Sequence, residues 1–286
     1  MQQLPQTVQI KNGTERICVH KYLKVCKTNP QPPGLGDFVR GTIALFNFAK
    51  IYNYKLLIDK DHPIFDFLEN NDYLTTTDAH VIEALPPSSY ETIYNQLALL
   101  FITGENFSIM TNSFYTIENQ RLVNFGPISL DCRLFLQKIF TPKIEVRNKV
   151  KSVITNNYGL SLNEPFTLIH LRFGDKFLHD ESYSEEFGEL ELLVRYLIKF
   201  GSDQKFVLMS DSSKMAANLK CRNPELCYWD NSKIHLGDLK NNDRDAVFET
   251  MVDFFIMSNA IEIISNGCSG FSKIVSEIFN IKYTCL

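Results

Sequence analysis

No run of about 18 apolar residues occurs in the 286-residue sequence, so nothing in it reads as a membrane-spanning helix. The opening segment from Met1 to Thr14 is polar and lacks the apolar middle of a secretory signal. Clustered Lys and Arg are also missing. The positive residues are dispersed and the formal net charge is -4, which excludes the basic footprint of a nucleic-acid-binding protein. None of the seven cysteines falls in a C-x-x-C pair, which removes the usual zinc and redox sites. Cys221 and Cys227 are the nearest neighbours, and a bridge between them would need an oxidising compartment. The expectation is therefore a soluble, cytoplasmic chain with reduced thiols, whose sequons Asn12-Gly13-Thr14 and Asn106-Phe107-Ser108 stay unmodified. A Walker loop, a G-x-S-x-G elbow, internal repeats and low-complexity tracts are absent too.

What remains is an ordinary globular composition, 44% hydrophobic and 22% charged, over a length that suits two domains. Near the N-terminus, Ile17 to Val25 reads as a strand, and Asn29 to Gly34 as a loop by its Pro and Gly content. The apolar spacing from Val39 to Tyr52 predicts a helix, and Tyr54 to Ile58 a strand. Between 60 and 130 the pattern weakens; Ile93 to Ile102 reads as helical and Gln120 to Ser129 as extended. A boundary is expected between Thr141 and Glu164, dividing the chain into 1–155 and 156–286. Beyond it, strands at Phe166–Leu171, Phe206–Met209 and Ile261–Ile264 alternate with helices at Leu190–Phe200, Ser212–Lys220, Ala246–Ser258 and Gly270–Phe279. That alternation implies an α/β fold with parallel strands covered on both faces, and such sheets bind ligands beyond the carboxyl ends of their strands.

Three polar clusters follow three of these strands: His170-Leu171-Arg172-Phe173-Gly174-Asp175, Ser210-Asp211-Ser212-Ser213, and Ser265 to Ser272. In a parallel sheet all three share one edge. Arg172 offers a planar fork of donors suited to a diphosphate, with Gly174 allowing a sharp turn; a structural Arg172–Asp175 ion pair is the plainer reading. His170 is either a site residue or a core histidine. Ser269, Gly270, Phe271 and Ser272 open a helix whose amides and hydroxyls can meet an anion, or whose serine is a plain N-cap. Asp211 either accepts bonds from a nucleoside or caps the following helix. Gly34-Leu35-Gly36-Asp37-Phe38-Val39-Arg40-Gly41 reads as a glycine-rich loop whose third glycine is displaced from G-x-G-x-x-G; Asp59 or Asp61 would be the ribose acid of such a site. The D-x-D strings Asp59-Lys60-Asp61 and Asp243-Arg244-Asp245 match a metal-binding pair of GT-A glycosyltransferases, but Asp243 also precedes a helix, where an acid is favoured anyway.

Together the clusters resemble the fucosyltransferase-like GT-B superfamily, which holds the α1,2- and α1,6-fucosyltransferases, the rhizobial nodulation fucosyltransferase and the protein O-fucosyltransferases. Its H-x-R-x-G-D signature is matched by His170 to Asp175, its N-terminal G-x-G-[DN] loop by Gly34 to Asp37, and its C-terminal small-residue motif by Ser269 to Ser272. The resemblance touches both halves and leaves 60–160 uncovered. It implies two Rossmann-like domains facing across a cleft, an acceptor-side domain (1–155) and a nucleotide-sugar domain (156–286). It implies an inverting, metal-independent transfer from a nucleotide sugar, GDP-fucose in most relatives, to a glycan, as in soluble bacterial or viral members. Arg172 would hold the β-phosphate, His170 and Asp211 would lie near the nucleoside, and Ser269, Gly270, Phe271 and Ser272 would meet phosphate or base. Gly34, Gly36, Asp37 and Arg40 would come from the acceptor side, with Asp37 as base. Another sugar nucleotide such as UDP-xylose, a silent nucleotide-sugar-binding protein, and a nicotinamide oxidoreductase are the competing expectations.

Overall fold

The computed structural model describes residues 15–22, 34–76, 81–83, 90–110, 128–173, 186–201, 204–230 and 243–286. Two five-stranded sheets, both parallel throughout, organise them. The first holds β1 (Ile17–His20), β2 (Lys55–Asp59), β3 (Leu74–Thr75), β4 (Val81–Glu83) and β5 (Phe107–Met110), in the order β3-β2-β1-β5-β4. The second holds β6 (Phe166–Leu171), β7 (Lys205–Ser210), β8 (Cys227–Tyr228), β9 (Glu262–Ser265) and β10 (Lys282–Cys285), in the order β10-β9-β6-β7-β8. Every residue of β6 is buried, as the central strand of a sheet covered on both faces must be. The fold is α/β, with two Rossmann-like halves.

Eight helices are described: α1 (Leu35–Tyr52), α2 (Tyr90–Thr103), α3 (Leu130–Ile139), α4 (Ile144–Ser152), α5 (Glu186–Phe200), α6 (Ser213–Arg222), α7 (Arg244–Met257) and α8 (Gly270–Phe279). The supposed glycine-rich loop is not a loop. Its residues from Leu35 onward form the first turns of α1. Gly36 is there for packing: a Cβ on it would stand 3.2 Å from the backbone carbon of Gly270 in α8. Both α1 and α8 end on an asparagine in the left-handed region, Asn53 and Asn280 at φ 58°, one of the few residues that tolerates it. The expected strand at Ile17 ends its described pairing at His20, with 23–25 outside the described residues. Of the expected extended stretch, 120–127 lies outside them as well, and Ser129 is instead the N-cap of α3, accepting from the Cys132 amide.

The halves are not joined by a bare linker. Arg133 and Gln137 of α3 donate to the last carbonyls of α8, Glu277 O at 3.0 Å and Ile278 O at 2.8 Å. Lys143, before α4, donates its amide to Phe67 O of the first half at 3.0 Å. One apolar core runs from Cys18 and Leu56 through Phe67, Phe140 and Phe254 to Leu168 and Ile263. A smaller one, with Ile169, Leu171, Val194 and Leu219, covers the other face of the second sheet. Leu168 and Ile169 point to opposite faces, as the two-residue period of a strand requires.

The cysteines depart in part from the expectation. Cys221 is exposed and Cys227 half-buried, and both are free, as are the buried Cys18 and Cys132. Cys285, at the end of edge strand β10, is disulfide-bonded, so the thiols are not all reduced. Among the described residues no helix is long and apolar enough to cross a membrane.

A buried polar cluster sits at the carboxyl edge of the first sheet. Lys21 Nζ lies 2.7 Å from the Asp59 carboxylate, with 7% and 0% of the side chains exposed. Asp59 is thus held by an ion pair, neither a ribose acid nor a metal ligand. His62 N-caps the 3-10 turn Pro63–Phe67 through Nδ1, which accepts from the Ile64 amide at 3.3 Å. Its ring is wedged between Tyr22 and Phe38, with centroids 4.3 and 4.8 Å away. Burial, and then the neighbouring His20, push its pKa down to about 3. A histidine neutral in the fold and basic when unfolded stabilises the fold above the unfolded pKa near 6.5, and that contribution falls away as pH drops from there toward 3. Lowering pH from 6.5 to 5 is therefore expected to cost on the order of 1–2 kcal/mol through this residue. Denaturant titrations at both pH values check it: His62→Phe should flatten the acid limb, and an unchanged acid limb would acquit His62.

Candidate active site

β9, β6 and β7 lie side by side, with His170 opposite Met209 on one flank and Ser265 on the other. Their carboxyl ends, Leu171, Ser210 and Ser265, deliver the three polar clusters to one edge of the second sheet. There the chain fixes Arg172 through its backbone. Asn266 accepts from the Arg172 amide at 2.6 Å and donates to its carbonyl at 3.1 Å. Asp211 accepts from the Phe173 amide at 3.0 and 3.2 Å and pairs with the Arg172 guanidinium at 3.0 Å. Asp211 is therefore not the cap of α6; Ser212 is, accepting from the Met215 amide at 3.4 Å. The Arg172 side chain is 29% exposed and faces the cleft. Gly174 and Asp175 lie outside the described residues.

Gly267, at φ 66°, turns the chain from β9 toward α8, a conformation that favours glycine. Ser269 is the N-cap of α8 yet makes no capping bond with its side chain. Ser272, three residues on, faces the other way. It is fully buried, meets His170 Nδ1 at 2.9 Å and Tyr283 Oη at 3.3 Å, and ties the first turn of α8 to the sheet. Ser272 is not among the residues that line the cavity, and its hydroxyl is engaged by His170 and Tyr283. Gly34, the N-cap of α1, offers no side-chain cap either.

These elements enclose a cavity of ≈ 220 Å³. Gly34, Gly36, Asp37 and Arg40 line it from α1; His170, Arg172 and Asp211 from the sheet edge; Ser269, Gly270 and Phe271 from α8. Sequence reasoning missed a fourth wall, made by Thr250, Asp253 and Met257 of α7, together with Met209 of β7. Asp253 is 5% exposed and is the one acidic residue in the run Met251 to Met257, which is the signal that could have found it. Asn266 was missed because its role is to hold backbone.

The electrostatics favour an anion. Two helix N-termini whose N-cap residues, Gly34 and Ser269, make no side-chain capping bond meet at one cavity, each with the positive end of a dipole. Arg172 and Arg40 add two cations, each paired with a carboxylate of the same lining, Asp211 and Asp37, and Asp253 is a third acid there. Arg40 Nη1 lies 3.1 Å from Asp37 Oδ1, and the two side chains are 24% and 52% exposed. Burial lowers the Arg40 pKa, opposed in part by Asp37 and Tyr283. Among the described residues no group of three or more His, Cys, Asp or Glu side chains is placed for a metal ion. Of the D-x-D strings, Asp59 is paired with Lys21, and Asp243 is the N-cap of α7, accepting from the Asp245 amide at 3.0 Å.

No family model and no curated protein matches the chain. Solved structures do. The NodZ α-1,6-fucosyltransferase soaked with GDP-fucose superposes with a TM-score of 0.60 at 12% identity, covering 93% of each chain; NodZ from Bradyrhizobium gives 0.60 over 92% of each. A point variant of Arabidopsis thaliana FUT1 in complex with GDP gives 0.60 at 13% identity, over 96% of this chain and 71% of that one. POFUT1 in complex with GDP-fucose gives 0.54 at 12% identity, over 95% and 98%. At these identities the likeness is one of fold: the chain has the GT-B architecture of the fucosyltransferases.

Proposed function

We propose, for a chain with the fold of the fucosyltransferase-like GT-B enzymes, that it is an inverting glycosyltransferase which holds a nucleoside-diphosphate sugar in the cavity and passes the sugar to a glycan hydroxyl. The observation that carries this reading is the convergence of Arg172, Arg40 and two uncapped helix N-termini on one concave site. In such a transfer the acceptor oxygen bonds to the anomeric carbon as the bond to the β-phosphate oxygen breaks. The electron pair leaves with the diphosphate, and charge grows on its oxygens. Arg172 and the α8 amides take that charge without a divalent cation. The acceptor proton goes to Asp37, a half-exposed carboxylate on the opposite wall. Residues 1–155 would supply the acceptor side and 156–286 the donor side, with α3 fastened to the latter.

GDP-fucose is the donor we assign. NodZ was soaked with GDP-fucose and POFUT1 was solved in complex with it, and the buried Asp253 suits guanine. Calorimetric titration of a panel of nucleoside diphosphates, followed by release of diphosphate from the matching sugar nucleotides, tests the reading. GDP should bind and GDP-fucose should be consumed only with an acceptor present. Activity is expected to survive EDTA. Loss that Mn²⁺ or Mg²⁺ restores would overturn the cation-free mechanism, and a protein that binds no nucleoside diphosphate is not this enzyme.

A further inference from the structure

Arg40 stands in an unusual electrostatic position. Its guanidinium lies against the first residue of α8: a Cβ on Gly270 would stand 2.7 Å from Arg40 Nη2. That is the positive end of a ten-residue helix with no side-chain cap, where an acid is favoured and a cation is disfavoured. Arg40 is also largely buried, which costs a charged group solvation. A cation held against a helix N-terminus, with Arg172 on the same cavity, marks a place for an anion that bridges them. Yet one arm of Arg40 is engaged elsewhere, on the Asp37 carboxylate at 3.1 Å. Asp37 is the carboxylate assigned above as the base, and its Oδ1, while it accepts from Arg40 Nη1, is not open to an acceptor hydroxyl.

We infer that the Asp37–Arg40 pair is a donor-operated switch: the diphosphate draws Arg40 off Asp37, and the freed carboxylate becomes competent to take the acceptor proton. The inference rests on the reading of the site as a nucleotide-sugar site. A pair with one half-exposed partner is weak enough to be broken by a doubly charged diphosphate, which offers Arg40 two oxygens and the α8 dipole a counter-charge. The device ties base activation to donor binding. Since Arg40 and Asp37 share the first turns of α1, a guanidinium need only rotate, with no movement of the halves.

The test is a double-mutant cycle read by calorimetry with GDP and, as a probe without phosphate, guanosine. Asp37→Asn removes the competitor for Arg40, so GDP should bind about two- to fivefold tighter while kcat falls. Arg40→Gln should weaken GDP about tenfold. In that background Asp37→Asn should change GDP affinity no further, and guanosine should register none of these effects. Opposite signs in affinity and kcat for one substitution are not what a merely structural pair gives. If Arg40→Gln does not fold, Gly270→Ala serves instead, because its Cβ displaces the flexible end of Arg40; it should cancel the Asp37→Asn gain. Unchanged or weaker GDP binding by Asp37→Asn, or a gain that persists without Arg40, overturns the switch while leaving the site reading intact. Failure of the wild-type protein to bind any nucleoside diphosphate removes both.

Discussion

Arg172→Ala should weaken GDP binding by about 10- to 150-fold, the cost of losing hydrogen bonds between charged groups. On the proposed reading the fall in kcat/KM should be larger still, because charge on the leaving phosphate grows as the glycosidic bond breaks and Arg172 would meet it there. Lysine should rescue only part of this, since a point charge cannot replace a two-pronged donor. The fold should survive, because the backbone of Arg172 is clamped by Asn266 and that of Phe173 by Asp211, neither of which needs the guanidinium. The rival view makes Arg172–Asp211 a structural pair. It requires Arg172→Ala and Asp211→Asn to lower Tm alike while the folded protein keeps its GDP affinity. Calorimetry on the folded variant separates the two, and wild-type affinity in Arg172→Ala would take Arg172 out of the site.

The parts of the fold that were legible in the sequence are those whose environment is uniform. β6 is buried along its whole length, so its apolar run is unbroken. Both ends of α8 are legible, because the turn at Ser269 and the asparagine at 280 punctuate it. The short strands β3 and β8, two residues each, cannot show a period. β10 lies at a sheet edge and is partly exposed, so it lacks an apolar run too. The start of α1 is hidden in the sequence because glycine there looks like punctuation. The need for Gly36 arises from Gly270 at the far end of the chain, which no local pattern reveals.

The site divides in the same way. Arg172, His170, Asp211 and Ser269 were legible because strand ends of a parallel sheet share an edge. Composition groups Ser272 with Ser269. The helix separates them: the N-cap residue faces the cavity, while the side chain three positions on turns toward β6. The α7 wall was invisible to the strand-end rule, since α7 reaches the cavity by its flank. Thr250, Asp253 and Met257 recur at i, i+3 and i+7, one helical face, and only the carboxylate inside an apolar run sets that face apart.

That carboxylate should decide the nucleobase. Guanine presents two adjacent donors, N1–H and the 2-amino group, which a carboxylate accepts together; uracil presents one N–H flanked by two carbonyl oxygens, which a carboxylate repels. Asp253 is 5% exposed, shares the cavity with the apolar side chains of Met209 and Met257, and adds its charge to the burial that keeps Tyr158 a neutral phenol. Water competes little there, so a lost bond is costly, and a site built to pair with substrate N–H groups discriminates strongly against a base that lacks them. Asp253→Asn keeps the shape but exchanges one acceptor for a donor. GDP should then bind about 10- to 100-fold more weakly. UDP, whose N–H and carbonyl match an amide better than a carboxylate, should bind no worse or slightly tighter, so the preference for GDP narrows from both sides. Thermal melting of the variant without nucleotide controls for damage to α7. If GDP affinity is retained in a folded Asp253→Asn protein, or if the wild-type protein binds UDP in preference, Asp253 does not read the base and the case for a guanine nucleotide falls with it.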